Sequence, residues 1–346
     1  MTLLYFIIVL GVTVFIHEFG HFIFAKKSGI YVYEFSIGMG PRLFKFKRKN
    51  DETEYCIRLF PIGGFVSMAG EDIEVDKNIP DDKQMFNKPW HNRFLTVIAG
   101  VMFNFLLAII LLIIVGLNVG VPENKNKIVE LDKKYPIYKT NIKVGDTITK
   151  VNNVKVRNQD MLMLELAVHN GKKVNITVKH KNNKIETVKV KPKKVKVDGK
   201  VGYKYGLALE NKVHKGIIPS IKFGFTKVVD LLEQMVKIIF YLITGRLSLS
   251  NLSGPVGIYN IVGESAKAGF INIIYLIAYL CVNVGFINLI PLPAFDGGRA
   301  FFLLIEKITG KKVPPKVENT IHTIGFVLLM ILMVAITYND IMRIIK

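Results

Sequence analysis

Residues 3–27, LLYFIIVLGVTVFIHEFGHFIFAKK, decide the fold. From Leu3 to Ala25 the run is apolar and long enough for the roughly 30 Å hydrocarbon core of a bilayer. Its one polar interruption is His17-Glu18-Phe19-Gly20-His21. A carboxylate inside a membrane helix costs about 3 kcal/mol, so such residues are normally kept for function. Residues four apart share a helix face, so His17 and His21 can bind one metal ion. Glu18 flanks them and is placed to act as a general base on water. Lys26-Lys27 follows the apolar run, whereas a cleaved signal carries its positive charge ahead of it. The segment therefore reads as a retained transmembrane helix, N-terminus outside and lysines cytoplasmic.

Outward from this helix the chain is uneven. Half of its 346 residues are apolar, and 47 Lys and Arg against 27 Asp and Glu give a net charge of +20. Further apolar runs lie at 94–117, 270–292 and 321–337, the last somewhat short for a span. A polar, Lys-rich middle separates the second run from the third. The fold class is an α-helical membrane protein: four transmembrane helices, a membrane-associated β-hairpin loop, and one inserted, mainly β, PDZ-like domain outside the cytoplasm. The basic excess sits mostly in the middle module with no nucleic-acid motif, so nucleic acid is excluded as a partner. A solvated basic face attracted to anionic membrane lipid fits better. Cys56 and Cys281 have no metal or disulfide spacing between them.

Four segments follow. Residues 1–120 form an N-terminal membrane core, with a cytoplasmic β-loop region at 28–92 between its two spans. Within that region Arg42 to Lys47 and Glu54 to Leu59 alternate as a strand pair around a polar turn. Pro61-Ile62-Gly63-Gly64-Phe65 is too apolar for a solvated loop and too rich in Gly and Pro for a helix. Such backbone survives at membrane depth only against protein or a water-filled cavity. Gly100 and Asn104 share one face of the second span and read as helix-packing residues. Residues 121–207 are the PDZ-like domain, with strands near 127–131, 147–151, 154–156, 173–179 and 185–191 and a helix over 158–170. Residues 208–262 hold an apolar but charge-interrupted stretch, Gly216 to Gly245, suited to an amphipathic helix at the interface. Residues 263–346 complete the membrane core. The basic residues between the last two runs place that loop inside, which puts both termini and the PDZ-like module outside.

Two histidines do not complete a catalytic zinc site, which ordinarily has three protein ligands. Asp296, His322 and Asp340 are the candidates for the third. Asp340 lies at the wrong depth. Asp296 follows the third run on the side of His17 and His21, and His322 is its rival at the same depth. The prolines and glycines around Asp296 imply a broken helix that aims the carboxylate inward.

These residues together resemble the site-2 protease family of intramembrane zinc metalloproteases (M50-type), in its regulator-of-sigma, RseP-like branch. The resemblance rests on the His-Glu-x-x-His pattern, Asn288-x-x-Pro291-x-Pro293-x-x-Asp296-Gly297 and the Pro61 to Glu71 stretch. It also rests on Asn92-Arg93-Phe94 with Gly100 and Asn104, and on Ser253-Gly254-Pro255-Val256-Gly257-Ile258. It spans nearly the whole chain. It implies Zn2+ held by His17, His21 and Asp296, with Glu18 as the catalyst. It implies substrate binding by Asn288 and Pro291 and by Gly63, Gly64 and Phe65 of a hairpin dipping into the membrane. The implied substrates are single-span membrane proteins already trimmed outside, such as anti-sigma factors and signal-peptide remnants. The chain departs in carrying Phe295 where Leu is usual and in having room for one PDZ domain. No carboxylate-binding loop matches near Pro122 to Leu131, so that domain reads as a steric filter. The alternative from another class is a non-catalytic membrane scaffold that binds peptides, and a transporter is disfavoured by the lack of inverted repeats. Oligomeric state is not encoded in any motif.

Overall fold

The computed structural model describes residues 1–71, 76–169, 171–197, 200–248 and 252–345. Helix α1 (Thr2–Lys27) leads into two long antiparallel strands, β1 (Val32–Lys47) and β2 (Glu54–Met68), and then α2 (Trp90–Val119). A β-rich stretch follows: β3 (Val121–Pro122), β4 (Ile128–Leu131), β5 (Thr147–Val151), β6 (Val154–Lys155), α3 (Gln159–Val168), β7 (Val174–Lys179) and β8 (Ile185–Val190). Next come β9 (Lys193–Val197), β10 (Lys200–Lys204), β11 (Leu207–Leu209) and β12 (Val213–His214). The chain ends in α4 (Ile217–Ile243), α5 (Pro255–Lys267), α6 (Phe270–Leu289), α7 (Asp296–Thr309) and α8 (Pro315–Ile345).

Among the described residues four helices are long and apolar enough to cross a membrane: Thr2–Lys27, Trp90–Val119, Phe270–Leu289 and Lys316–Met342. At 1.5 Å per residue, a 26-residue helix such as α1 is about 39 Å long, more than a hydrocarbon core needs. Three expected spans change at their ends. The second, expected over 94–117, runs Trp90–Val119. The third stops at Leu289 rather than 292, because Pro291 pushes Ile290 into extended backbone. The fourth is longer than 321–337, with 31 residues from Pro315. The apolar run marks the middle of that helix, while its polar ends also form helical turns. The expected boundary at 262/263 falls inside α5 and is not a break in the chain.

The chain divides into two compact units: Met1–Val115 with Gly224–Val228 and Leu249–Lys346, and Gly116–Phe223 with Val229–Ser248. In the first, the expected strand pair is part of something larger. Lys47 pairs with Glu54, as the turn required, but Phe35 is partnered by both Tyr55 and Val66. The Pro61 to Phe65 stretch is therefore strand, inside β2, and not loop. The core here joins Phe22, Ile30, Val32, Phe35, Val66 and Val97. At the strand turn, Lys26 donates to Asp51 at 2.9 Å and to Glu52 at 2.5 Å, anchoring it to the end of α1.

The second unit has a four-stranded sheet ordered β6-β5-β7-β8. Its core is the regular inward face of those strands, Ile148, Val151, Ile176 and Val178, packed with Leu162 and Leu166 of α3. The side chain of Asn158 caps α3 by accepting from Met161 N. The helix ends at Val168, and Asn170, its expected end, lies outside the described residues. The β9–β10 hairpin has no counterpart in the sequence reading. Val195, Val197, Val201 and Tyr203 alternate with lysines and Gly202 there, so the period-two signal was present in the sequence and was passed over.

Candidate active site

His17 and His21 lie on one face of α1, buried at 7% and 8% exposure. Asp296 comes to them from the first residue of α7. Its Oδ2 lies 3.0 Å from His17 Nε2 and 3.2 Å from His21 Nε2. The two Nε2 atoms are 3.3 Å apart. Among the described residues this is the one trio of potential metal ligands, all within 4.8 Å of one another. His322, the sequence rival, and Asp340 stand outside it. The Asp340 carboxylate instead accepts from Gly257 N at 2.9 Å, at the start of α5.

The second nitrogens of the rings explain why the first ones converge. His21 Nδ1 lies 2.8 Å from the carbonyl oxygen of Thr96, so it carries the proton and leaves Nε2 with its lone pair. His17 Nδ1 faces the amide of Asn104 at 3.1 Å. The Asn104 amide nitrogen is the atom at His17 Nδ1, and its buried Oδ1 has no partner among the described residues. Exchanging the two amide atoms, which are alike in shape, lets Oδ1 accept from Nδ1–H. With that assignment both rings offer bare Nε2 atoms toward Asp296 Oδ2, which is enclosed with no hydrogen-bond donor among the described residues. Three acceptors facing each other suit a cation. Bonds of about 2.0–2.1 Å in a tetrahedral zinc site set ligand atoms roughly 3.3 Å apart, so the trio fits zinc.

Glycine makes the space. A Cβ on Gly100 would lie 2.4 Å from His21 Nε2 and 2.8 Å from His17 Cε1. A Cβ on Gly20 would lie 2.5 Å from Ala99 O, so α1 and α2 touch at backbone distance. Gly100 and Asn104 do more than the packing expected from sequence: one makes room for the two rings and the other faces the His17 ring. The sequence placed both on one face of the second span but not against α1. Gly297 has the same function on the other side, because a Cβ there would lie 2.3 Å from Ile290 O. It lets the chain fold back from α6 and present Asp296. The turn also holds Ala294 at φ 76°, a left-handed conformation that costs a non-glycine residue of order 1–3 kcal/mol.

The trio opens on a cleft of about 770 Å³. Glu18, half-buried, lines it beside the ligands. Gly63, Gly64 and Phe65 of β2 line it too, as does Asn288 of α6. Pro291 does not; it is exposed. Near the ligands, Gly64 lies against Glu18, with room for a Cβ 3.5 Å from Glu18 Cγ but 2.7 Å from Ser36 O. Arg299 and Glu71, joined by an ion pair, also line the cleft.

The sequence profile of peptidase family M50 matches residues 5–332. The chain belongs to peptidase family M50. This M50 metalloprotease is 32% identical to the regulator of sigma-W protease RasP of Bacillus subtilis, over 99% of this chain and 98% of that protein. It is 32% identical to the zinc metalloprotease RasP of Bacillus licheniformis, over 99% of each chain. A Clostridium acetobutylicum protein whose name includes "zinc metalloprotease" is 37% identical over 97% of this chain and 96% of its own. The alignment with the Bacillus subtilis protein runs over 421 positions, so that relative carries insertions which this M50 chain lacks.

Proposed function

We propose that this M50 metalloprotease is an intramembrane zinc endopeptidase that cuts the transmembrane segments of single-span proteins. The observation that supports it most is the convergence of two imidazoles and a carboxylate from two distant parts of the chain on one point. One of those parts is a helix fit to cross a membrane. His17, His21 and Asp296 would hold the zinc. Bound there, zinc supplies Lewis acidity, lowering the pKa of water and polarising a carbonyl.

The chain's own residues do the rest. Glu18 takes a proton from the attacking water and returns it to the leaving amide nitrogen. A helical substrate hides its carbonyls in its own hydrogen bonds and must be held extended. Gly64 to Met68 pairs only with Val32 to Ile37, which leaves its other edge unpaired among the described strands. Gly64, Phe65, Val66 and Met68 line the cleft, so a substrate strand added to that edge would lie beside Glu18. Asn288 would hold the substrate backbone from the opposite wall.

The bacterial relative named for sigma-W points to anti-sigma factors as substrates, with signal-peptide remnants as a second class. The active site would face the cytoplasmic side of the cell membrane. The β-rich unit would be a PDZ domain outside, screening substrates that have already been trimmed. A scaffold without catalysis offers no reason for three acceptors to face each other beside a carboxylate.

The test is cleavage of a single-span peptide by the full chain in proteoliposomes, with and without a zinc chelator. Chelator should stop cleavage. Glu18→Gln should retain zinc yet cut about a thousandfold more slowly, the middle of the range for a general base. Normal cutting by that variant would remove Glu18 from the mechanism.

A further inference from the structure

Arg93, in the Asn92-Arg93-Phe94 stretch, lies outside both the ligand trio and the lining of the cleft. It sits in the first turn of α2 and is buried, at 6% exposure. Its guanidinium holds the Glu306 carboxylate of α7 through two nitrogens: Nη1 donates to Oε2 at 2.8 Å, and Nη2 donates to Oε1. Its Nε donates to Lys88 O at 3.1 Å, so the planar head is fixed on two edges. One turn earlier, Trp90 Nε1 donates to Leu303 O of α7 at 2.6 Å. Apolar packing gives α7 little hold of its own, because Gly297, Gly298 and Ala300 are the buried residues among its 14. A buried ion pair is weak evidence for stability, since apolar residues of similar size serve as well or better. What a bidentate pair adds is direction, because the planar fork takes its partner in one orientation.

The same helix meets the two rings. Thr96 O is at His21 Nδ1, and Asn104 faces His17. Arg93 lies three residues before Thr96, on the same side of α2. We propose that Arg93 and Glu306 are positioning residues: their pair holds α7 against α2, so that Asp296, at the first residue of α7, is presented to the metal in register with the two rings. One helix then sets all three ligands, two through their rings and the third through α7. This rests on the reading of the trio as a zinc site.

The test replaces both partners at once, Arg93→Met with Glu306→Met, which keeps bulk and leaves no lone buried charge. In the full chain in proteoliposomes, zinc affinity measured by chelator competition should fall about tenfold, the low end for groups that orient ligands. Amide exchange in α7 of the metal-free chain should accelerate, while exchange in β1 and β2 of the same unit stays at the native rate. In an Asp296→Asn background the double Met change should cost no further zinc affinity, because residues that act through Asp296 then have nothing left to position. Native zinc affinity, native exchange in α7, or a further loss beyond that of Asp296→Asn overturns the proposal. Faster exchange throughout β1 and β2 also overturns it, since the pair would then be a general prop of the unit. If the native chain holds no zinc, the metal reading falls, and exchange in the metal-free chain still decides whether the pair fixes α7.

Discussion

Each unit encloses a carboxylate oxygen, in Glu165 and in Asp296, and the two side chains are handled differently. In the second unit Glu165 of α3 is fully enclosed, at 0% exposure. The hydroxyl of Tyr241, on α4, donates to its Oε1 at 2.6 Å, and the Lys237 ammonium lies 3.9 Å from the same oxygen; its Oε2 has no hydrogen-bond partner among the described residues. Burial, and after it the Glu165 carboxylate, raise the Tyr241 phenol well above the ordinary tyrosine range, which keeps it a donor. In the first unit Asp296 meets no donor, only two nitrogens arranged to offer lone pairs. A carboxylate answered by a hydroxyl and an ammonium holds parts of a fold together. A carboxylate answered by other acceptors is waiting for a cation. The comparison therefore distinguishes a structural buried charge from a functional one without reference to any relative.

The sharpest way to break that contrast is Asp296→Asn. The amide is isosteric but uncharged and a weak ligand. Zinc affinity should fall by more than about 100-fold, exceeding the usual loss from an outer-shell change, and cleavage should go with it. Metal content after dialysis against a zinc buffer measures this. Unchanged zinc would mean that Asp296 is not a ligand and that its setting is structural, like that of Glu165.

Gly100→Ala is the next largest. In an exposed helix this change would stabilise by about 1 kcal/mol. Here the new methyl would lie 2.4 Å from His21 Nε2, inside the space the ligands need. Zinc affinity should drop about 10- to 100-fold, the range for disturbed ligand orientation, while helical content by circular dichroism stays the same. Full zinc occupancy at native affinity would show that the rings have room to give, and that Gly100 serves packing alone.

Much of this was legible in the sequence, for reasons that differ by region. The strands of the second unit set buried Ile148, Val151, Ile176, Val178 and Val190 among exposed lysines, and turn residues separate them, so pattern and turns located β5, β7 and β8 closely. The candidate cluster of His17, Glu18 and His21 was legible because polar residues in an apolar run stand out. What was hidden depends on backbone approach. Nothing in the residue string says that Gly100 faces His21, that Gly297 sits on Ile290 O, or that β2 continues through Pro61-Ile62-Gly63. Glycine reads as a breaker, whereas here it admits neighbours. The β9–β10 pair was not hidden in the same way: Val195, Val197, Val201 and Tyr203 alternate along it, and the density of lysines drew the reading away. The pairing of Asp340 with Gly257 joins positions far apart in sequence, each with an ordinary local explanation.

The smallest expected effect lies on the structural side of the contrast. Tyr241→Phe keeps the ring and its packing and removes the hydroxyl that answers Glu165. The carboxylate would be left with an ammonium at 3.9 Å, too far for a good hydrogen bond. Losing a donor to an enclosed acceptor costs about 1–3 kcal/mol. The chain has two compact units, so one global melting temperature would blur the effect. Amide hydrogen exchange in α3 of the full chain reads it locally and should accelerate roughly 5- to 100-fold where opening governs exchange. Zinc content should stay at the native value, because no ligand or ligand-orienting group is touched. Exchange in α3 at the native rate would show that Lys237 alone satisfies Glu165, and Lys237→Met would then carry the loss. Reduced zinc in Tyr241→Phe would be more damaging, since the buried carboxylate of one unit would then be coupled to the metal centre of the other.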